Sequence, residues 1–258
     1  MNRFVLGAAV TLTAAAAVPS LAHAATVHQD GRTPHRVLLQ ADPGETNLVS
    51  VEGSRGLVIR DDGAPITLAR VPTCMPIDAH AVSCSGVRRL ELDLGDGSDV
   101  AVVATRKAVS IEGGGGRDRY VSLAGDAPSR VDFDGGIGFD TANYFFATAG
   151  VDVAVDLEGG DGRPGDEDRI RPDVESVIGS QFADVLAGDR HTLELIGSDG
   201  DDRITGGSGE ELLSGGDGND RIDARDGAQD RVDCGGQLLD SATVDRDEAS
   251  ITGCAVVT

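Results

Sequence analysis

Residues 197–223 read Gly-Ser-Asp-Gly-Asp-Asp-Arg-Ile-Thr, Gly-Gly-Ser-Gly-Glu-Glu-Leu-Leu-Ser and Gly-Gly-Asp-Gly-Asn-Asp-Arg-Ile-Asp, three abutting units of nine residues. Each unit opens with six residues rich in Gly and in acids. This composition is typical of tight turns, because Gly adopts positive φ at no steric cost. Each unit ends with three residues that carry one inward apolar side chain, always at the eighth position: Ile204, Leu213 or Ile222. The unit therefore predicts a turn followed by a very short β-strand with one inward side chain.

Repetition of the unit predicts the architecture. One unit cannot bury its apolar residue alone, so the units must stack and share a continuous apolar column. Two units make one coil, and residues about 18 apart then lie above one another. We therefore expect an all-β fold, a parallel β-roll or β-helix solenoid.

Stacking brings the sixth-position acids of successive coils face to face, as for Asp202 and Asp220. Two facing carboxylates repel each other unless a cation lies between them. Carboxylates and turn carbonyls are the hard oxygen ligands that calcium takes, and flexible loops suit its irregular geometry. The repeat therefore predicts Ca²⁺ bound between stacked turns.

Further acids occupy the sixth position of turn-like segments along the chain. They are Asp99, Asp118, Asp140, Asp168, Asp184, Asp202, Asp220 and Asp240, with successive gaps of 19, 22, 28, 16, 18, 18 and 20 residues. Because most gaps are close to one coil, we expect these acids to stack along one edge, best formed at Asp184, Asp202 and Asp220. The unit with Glu211 should turn on the opposite edge, above Leu193, and serve mainly to keep the register.

Composition limits the partners. The 258 residues carry a formal net charge of −22, with no Trp and two Tyr. Such self-repulsion disfavours a compact state unless something neutralises it, and it argues against nucleic-acid binding. The near absence of aromatic residues leaves few platforms for sugars or bases. The core must be built from Val, Ile, Leu and Ala.

The N-terminus indicates export. Residues 1–24 combine Arg3, an apolar run over 4–18 and the small-residue site Ala22-His23-Ala24. This pattern predicts a secretory signal peptide cleaved near Ala24. No later apolar stretch is long enough to span a membrane, so we expect a secreted, extracellular protein.

The cysteines fall in two close pairs, Cys74/Cys84 and Cys234/Cys254. An even count in an exported chain indicates disulfides, and of the three pairings we expect the neighbours. Short strand-like runs before residue 87 predict either a small separate sheet or irregular rungs that cap the solenoid and cover its strand edges. We expect four segments: the signal peptide at 1–24, an N-terminal β region or cap with the Cys74–Cys84 loop at 25–86, the repeat solenoid at 87–245, and a C-terminal cap with the Cys234–Cys254 staple at 246–258.

The units at 197–223, with residues 113–121 and 135–143, resemble the RTX, or hemolysin-type, calcium-binding repeat family. The resemblance covers roughly residues 94–240, and residues 41–47 and 230–235 are similar to those of secreted actinobacterial proteins with such repeats. It implies a parallel β-roll with calcium held by the sixth-position Asp and by carbonyls of the Gly-rich turn. The candidate metal residues are Asp99, Asp118, Asp140, Asp184, Gly197, Asp199, Gly200, Asp202, Gly215, Asp217, Gly218 and Asp220. For Asp99 and Asp118, a tight turn without metal is the alternative.

The sequence contains no motif for catalysis that is as specific as the nine-residue repeat. The chain has no His-Glu-x-x-His helix and no Gly-x-Ser-x-Gly elbow, so we assign no catalytic residue and expect a protein that is not an enzyme. We expect neither the effector domain nor the pore-forming segment of RTX toxins. We expect a secreted calcium-binding protein with a structural or interaction role. Two alternatives remain: a cell-surface or matrix adhesin with an extracellular polysaccharide or surface partner, and a lyase- or epimerase-like enzyme on polysaccharides that uses Arg106, Lys107, Arg117, Arg119 and Tyr120.

Overall fold

The computed structural model describes residues 24–29, 33, 35–123, 128–245 and 250–258. Within these ranges the secondary structure consists of β-strands, with no helix. The expected signal peptide lies outside the described residues except for Ala24, as do residues 246–249 of the expected C-terminal cap. None of the described residues belongs to a helix with the length and apolarity needed to traverse a membrane.

The strands are short and follow one another closely. The first thirteen are β1 (Ala25–Gln29), β2 (Arg36–Gln40), β3 (Leu48–Gly53), β4 (Leu57–Asp61), β5 (Ile66–Ala69), β6 (Cys74–Asp78), β7 (Ala81–Cys84), β8 (Arg89–Asp93), β9 (Asp96–Gly97), β10 (Val100–Thr105), β11 (Ala108–Gly116), β12 (Arg119–Ser122) and β13 (Arg130–Gly138). The others are β14 (Thr141–Asn143), β15 (Asp152–Ala154), β16 (Arg169–Ile170), β17 (Ser176–Ile178), β18 (Val185–Ala187), β19 (Glu194–Asp199), β20 (Arg203–Thr205), β21 (Leu212–Asp217), β22 (Arg221–Ala224), β23 (Arg231–Asp233), β24 (Ser241–Val244), β25 (Ser250–Thr252) and β26 (Val256–Val257).

Three sheets result. An eight-stranded sheet has the order β16-β13-β11-β8-β2-β1-β5, with β9 also paired to β11. A twelve-stranded sheet runs β25-β23-β21-β19-β17-β14-β12-β10-β3-β4-β7-β6, and a six-stranded sheet runs β15-β18-β20-β22-β24-β26. Pairing between the strands from β8 onward is parallel, and antiparallel strand pairs occur among β1 to β7. The fold is therefore an all-β parallel solenoid with an irregular N-terminal β cap, as predicted.

The chain path creates two rows of turns. From β8 to β14 the chain alternates between the eight-stranded and the twelve-stranded sheet; from β17 to β24 it alternates between the twelve-stranded and the six-stranded sheet. A parallel bridge between Val155 and Ile170 connects the two halves. We call the turns that lead into the twelve-stranded sheet the front edge, at residues 94–99, 113–118, 135–140, 206–211 and 224–230. The turns that lead out of it form the back edge, at residues 179–184, 197–202, 215–220 and 234–240.

Inward side chains stack in register and form the core. In the six-stranded sheet, Leu186 lies beside Ile204 and Ile204 beside Ile222, and all three are buried. Leu195 and Leu213 are aligned in the same way in the twelve-stranded sheet. Each fully buried side chain of this size contributes about 1.5–3 kcal/mol relative to exposure, so the stacked columns hold the coils in place. The predicted inward position of the repeat is thus confirmed.

Both disulfides join neighbouring cysteines. Cys74 in β6 is bonded to Cys84 in β7, within the antiparallel part of the twelve-stranded sheet. Cys234, which follows β23, is bonded to Cys254, which lies between β25 and β26. The two bonds therefore fasten the two ends of the strand stack, and the predicted pairing is confirmed.

Candidate metal centre

The turn at residues 197–202 depends on Gly for its shape. Gly200 has φ of 125° and Gly218, its equivalent one coil later, has φ of 147°. The second turn position also has positive φ, at 104° in Gly216 and 88° in Ser198. Residues other than Gly adopt this region at a cost in energy, so the backbone is strained at Ser198 in the best-defined repeat.

Acidic side chains form a hydrogen-bonded column along the back edge. The amide of Val151 donates to Oδ1 of Asp184 at 2.7 Å, and the amide of Asp184 donates to Oδ1 of Asp202 at 2.8 Å. The amide of Asp202 donates to Oδ1 of Asp220 at 2.9 Å, and that of Asp220 to Oδ1 of Asp240 at 3.0 Å. All four aspartates are buried, so each carboxylate has a fixed position between two coils.

The two ends of this column differ from its middle. At one end, Oδ2 of Asp184 accepts the amide of Ser180 at 2.5 Å. At the other end, Oδ2 of Asp240 accepts amides from the turn that precedes it. Oδ2 of Asp202 and Oδ2 of Asp220 are buried and have no hydrogen-bond partner among the residues that the structure describes. Buried carboxylate oxygens without a partner are costly, so the middle of the column has a specific need for a ligand.

Gly at the first turn position lets the carboxylate and a carbonyl of the next coil approach each other closely. A Cβ on Gly197 would overlap Oδ2 of Asp202 and lie 2.5 Å from the carbonyl oxygen of Gly215. Likewise, a Cβ on Gly215 would overlap Oδ2 of Asp220. The unpartnered carboxylate oxygen and a carbonyl of the next coil thus face the same small space. This set of hard oxygen donors, with no nitrogen or sulfur, fits calcium.

The other predicted residues of these turns have different positions. The carbonyl of Gly197 faces the first glycine of the preceding coil, Gly179, beside Asp184. The carbonyl of Gly200 faces Gly218 closely. Asp199 and Asp217 are aligned in neighbouring strands, but both are exposed and lie outside the buried column.

A second column runs along the front edge. The amide of Asn47 donates to Oδ1 of Asp99 at 2.6 Å, and that of Asp99 to Oδ1 of Asp118 at 2.9 Å. The amide of Asp118 donates to Oδ1 of Asp140 at 2.8 Å, and that of Asp140 to Oε2 of Glu175 at 2.7 Å. In the three aspartates Oδ2 is buried and, within the described ranges, has no hydrogen-bond partner. The front edge therefore repeats the arrangement of Asp202 and Asp220.

The prediction that the sixth-position acids share one edge is wrong. Asp99, Asp118 and Asp140 lie on the front edge, whereas Asp184 and the acids after it lie on the back edge. Between the two groups, residues 156–168 form an insertion that the antiparallel bridge between Asp161 and Asp168 closes. The front column continues past this insertion to Glu175, which follows Asp140 by 35 residues. The insertion thus shifts the sixth-position Asp by half a coil, from the front edge to the back edge.

Asp168 belongs to neither column. Its Oδ2 accepts the hydroxyl groups of Tyr120 and Tyr144 at 3.2 and 3.3 Å, and its Oδ1 accepts the hydroxyl of Ser129 at 3.0 Å and the amide of Val131 at 2.8 Å. Burial raises the pKa of Asp168 to about 6. This carboxylate therefore fastens the insertion to the core.

Burial also raises the pKa of the column acids. The pKa of Asp202 is raised to about 8 by burial and further by the charges of Asp184 and Asp220. Burial raises the pKa of Asp99 to about 7 and that of Asp140 to about 6. At neutral pH the ionised columns are thus unfavourable on their own. A bound cation favours the ionised form, which is the form that binds metal.

Two stacked acids of the front edge, Glu175 and Asp230, were not identified from the sequence. Glu175 is absent from the sixth-position series because the insertion shifts the spacing. Asp230 accepts the amide of Glu211 at 2.9 Å and stands 19 residues after it, a spacing that signals a stacked pair. The prediction that Glu211 lies on the opposite edge from Asp202 is confirmed, as is its stacking next to Leu193.

One of the residues named for a polysaccharide-acting enzyme is not accessible to a polymer. Tyr120 is fully buried in the core, against Phe133 and Tyr144. The guanidinium of Arg117 lies 5.0 Å from the ring centroid of Phe139, on the surface of a front-edge turn. A buried tyrosine cannot contact a polymer that stays outside the solenoid.

Comparison with known proteins agrees with this geometry. Residues 194–228 match the family model described as RTX calcium-binding nonapeptide repeat, in four copies. No curated protein matches the chain. The matched segment contains the back-edge turns of Asp202 and Asp220, and RTX calcium-binding repeats bind Ca²⁺. The chain therefore carries RTX calcium-binding nonapeptide repeats at residues 194–228, within a longer all-β parallel solenoid.

Proposed function

We propose that this chain is a secreted calcium-binding β-roll protein that uses calcium to stabilise its solenoid outside the cell, in a structural or interaction role. The observation that carries the proposal is the pair of buried oxygens, Oδ2 of Asp202 and Oδ2 of Asp220, which lack a partner in the described part of the chain. A calcium ion would supply the positive charge that these carboxylates need.

Each part of the turn has a role. The amide of the preceding coil holds one carboxylate oxygen and thereby orients the other, as for Asp202 and Asp220. Gly197 and Gly215 lack a Cβ that would displace the carboxylates, and the carbonyl of Gly215 adds a second oxygen. The stacked strands exclude water around the acids, which strengthens their interaction with a cation.

The front column extends the proposal beyond the matched segment. Asp99, Asp118 and Asp140 have the same unpartnered Oδ2, as far as the described residues go. A Cβ on Gly113 would lie 2.6 Å from Oδ2 of Asp118 and 2.5 Å from the carbonyl oxygen of Gly135, so the same pair of oxygens converges there. This arrangement supports calcium sites in the N-terminal half rather than tight turns without metal.

Calcium binding and folding are coupled in this proposal. Without calcium, the buried acids repel one another and oppose the coil, in a chain with a net charge of −22. With calcium, the binding free energy becomes folding free energy, because the unfolded chain has no preformed site. An affinity on the order of 10⁻⁴–10⁻³ M, as in other extracellular calcium modules, would load the sites outside the cell and leave them empty inside.

The test is circular dichroism and thermal unfolding of the mature chain, with calcium and with a chelator. The proposal expects a β spectrum whose midpoint of unfolding rises with calcium concentration. Magnesium at the same concentration is the control, because its preference for octahedral sites with several waters suits these turns poorly. A spectrum and a midpoint that are the same in calcium and in chelator would end the proposal.

A further inference from the structure

The outer face of the eight-stranded sheet carries a row of arginines, in a chain whose formal net charge is −22. Arg36, Arg89, Ala108 and Arg130 are the first residues of β2, β8, β11 and β13, and the parallel register places them side by side. Burial alternates along these strands, and all four residues lie on the outward side. The first outward row of the sheet is therefore positive, with Ala108 as its one gap.

Ala108 opens a cleft between two of these arginines. Neighbouring strands lie about 4.8 Å apart, so the backbones of Arg89 and Arg130 are about 10 Å apart across Ala108. The cleft has a volume of about 100 Å³, and Arg169 of β16 also lines it. This volume is several times what one water molecule needs and is enough for a small polyatomic ion. The described residues that line the cleft include no aromatic ring, so charge and hydrogen bonds must hold a ligand there.

The acids of this face do not balance its arginines. The ion pairs join five arginines to four acids: Arg36, Arg89, Arg130, Arg169 and Arg171 with Glu91, Asp132, Asp134 and Glu167. Glu91 lies 3.8 Å from Arg89 and also pairs with Arg36, so Arg89 has only a shared partner. The face therefore has one positive charge more than its paired acids neutralise.

One of the two acids that line the cleft can turn away from it. Glu167 lies 3.3 Å from Arg130, and both side chains are more than two thirds exposed. Such an exposed pair contributes at most about 1 kcal/mol, so an anion of higher charge can displace Glu167. The other acid, Asp132, is held by two hydrogen bonds from Arg171, at 2.8 and 3.2 Å, and lies 3.4 Å from Arg169. Three arginines then surround the cleft.

We propose that this cleft binds a phosphate dianion between Arg89, Arg130 and Arg169, either as inorganic phosphate or at the end of a phosphomonoester. Phosphate carries about −1.5 to −2 at pH 7, and guanidinium groups bind its oxygens in bidentate fashion. A carboxylate has only the single charge that Glu167 already supplies. The net negative charge of the chain acts at long range, and salt largely screens charges more than about 8 Å away. The nearby arginines therefore determine binding.

The phosphate cleft is separate from the calcium columns. Its residues lie outside the matched repeats at residues 194–228, and its ligand is an anion. The proposal does not depend on calcium at Asp202 or Asp220. It gives the interaction role of the chain a partner of defined chemistry, a free phosphate ion or a molecule with a terminal phosphate.

An NMR titration of the full mature chain with sodium phosphate tests the site, at a calcium concentration below that at which calcium phosphate precipitates. We expect the amide resonances of Ala108 and Gly159, which line the cleft, to shift until the site is saturated. The amide of Ile222, in the core of the six-stranded sheet, should not shift. Methyl phosphate, a dianion with one ester bond, should bind as well as inorganic phosphate. Dimethyl phosphate and acetate, each with one charge, should bind about tenfold more weakly or less.

Two variants change the affinity in opposite directions. Arg89→Gln should weaken phosphate binding by about tenfold or more, because a charged hydrogen-bond donor is lost. Glu167→Gln should strengthen binding, because it removes the acid that competes for Arg130. The matched controls are Arg55→Gln and Glu52→Gln, which make the same charge changes at exposed residues of the twelve-stranded sheet and its β3–β4 turn. Both controls should keep the wild-type affinity.

Equal phosphate affinity in Arg89→Gln and wild type overturns the proposal. An equal loss in Arg89→Gln and Arg55→Gln also overturns it, because net charge alone would then explain the effect. Acetate that binds as tightly as phosphate would exclude a dianion site. Binding of inorganic phosphate and methyl phosphate supports a site for phosphomonoesters, and binding of inorganic phosphate alone supports a site for the free ion.

Discussion

The amide of Asp202 donates a hydrogen bond of 2.9 Å to Oδ1 of Asp220, which stands 18 residues later and one coil farther along the solenoid. This bond fixes the Asp220 carboxylate and leaves Oδ2 buried without a partner in the part of the chain that is described. Asp118 and Asp140 have the same relationship on the front edge. In these pairs the backbone positions each carboxylate through Oδ1, and Oδ2 remains for a cation.

Asp202→Asn should separate calcium stabilisation from folding. Asn keeps an oxygen that can accept the amide of Asp184 but replaces Oδ2 by a neutral group. In chelator we expect the variant to be at least as stable as wild type, because a buried charge is removed. A site filled at about one hundred times its Kd contributes about 2.7 kcal/mol, so in calcium the midpoint should be about 5–10 °C lower than in wild type.

Thermal unfolding with and without calcium measures this difference. Asp199→Asn is the control, because Asp199 belongs to the same turn and is exposed. An equal rise of the midpoint with calcium in wild type and in Asp202→Asn would contradict the assignment.

The stability of the calcium-free chain should fall as pH rises from about 4 to 8. Burial raises the pKa of Asp202 from 3.8 to about 8 and that of Asp99 from 3.8 to about 7. A carboxyl with a raised pKa stabilises the fold when protonated. This contribution is complete below pH 3.8 and is lost as pH rises through the pKa of the folded chain. Calcium needs the ionised acids, so its stabilising effect should grow over the same range.

Urea unfolding at several pH values, in chelator and in calcium, checks both trends. The free energy of unfolding in chelator should be largest in mild acid. A chelator curve that rises between pH 5 and pH 8 would show that other groups dominate and would contradict the prediction.

The fold was predictable because the local structure of each nine-residue unit follows from its own residues. The alternation of a Gly-rich turn with one apolar residue, such as Ile204, is enough to predict stacked short strands. The change of edge between Asp140 and Asp184 was not predictable in this way. Counting residues between acids cannot distinguish one column from two columns half a coil apart when an insertion separates them. Asp168 shows the same limit, because its partners Tyr120 and Tyr144 are far away in sequence.

Two glycines of one front-edge turn test the second column. A Cβ on Gly113 would lie 2.6 Å from Oδ2 of Asp118, whereas a Cβ on Gly115 would have no heavy atom within 4 Å. Neither residue has positive φ, so the substitutions differ in space rather than in backbone strain. Gly113→Ala should destabilise the fold by about 1–3 kcal/mol, as overpacking does, and remove a calcium site. Gly115→Ala should change stability by no more than about 0.5 kcal/mol.

Calcium titrations and urea unfolding of the two variants provide the comparison. Equal calcium binding by Gly113→Ala and wild type would mean that Asp118 belongs to a tight turn without metal.

Ser198→Gly should stabilise the protein. Ser198 has φ of 88° where the equivalent Gly216 has 104°, and a non-glycine residue in this region costs on the order of 1 kcal/mol. Part of the gain is offset because Gly gives the unfolded chain more freedom. We therefore expect an increase of about 0.5 kcal/mol in calcium and in chelator, measured by urea unfolding. A decrease would mean that the Ser198 side chain makes a contact that outweighs the strain.

Asp168→Asn tests whether a sixth-position acid must belong to a calcium column. The Asp168 carboxylate accepts four hydrogen bonds, and the amide group of Asn would face some of these donors with its own N–H groups. We expect a loss of about 1–3 kcal/mol, because a buried polar group loses its partners. The loss should be equal in calcium and in chelator, since Asp168 binds the hydroxyl groups of Tyr120 and Tyr144 instead of facing another coil. Tyr144→Phe, which removes one donor, should cost about 1 kcal/mol and leave the rise with calcium unchanged. If Asp168→Asn reduced the rise of the midpoint with calcium as Asp202→Asn does, Asp168 would be a calcium ligand, and the division of the acids between two edges would need a third site in the insertion.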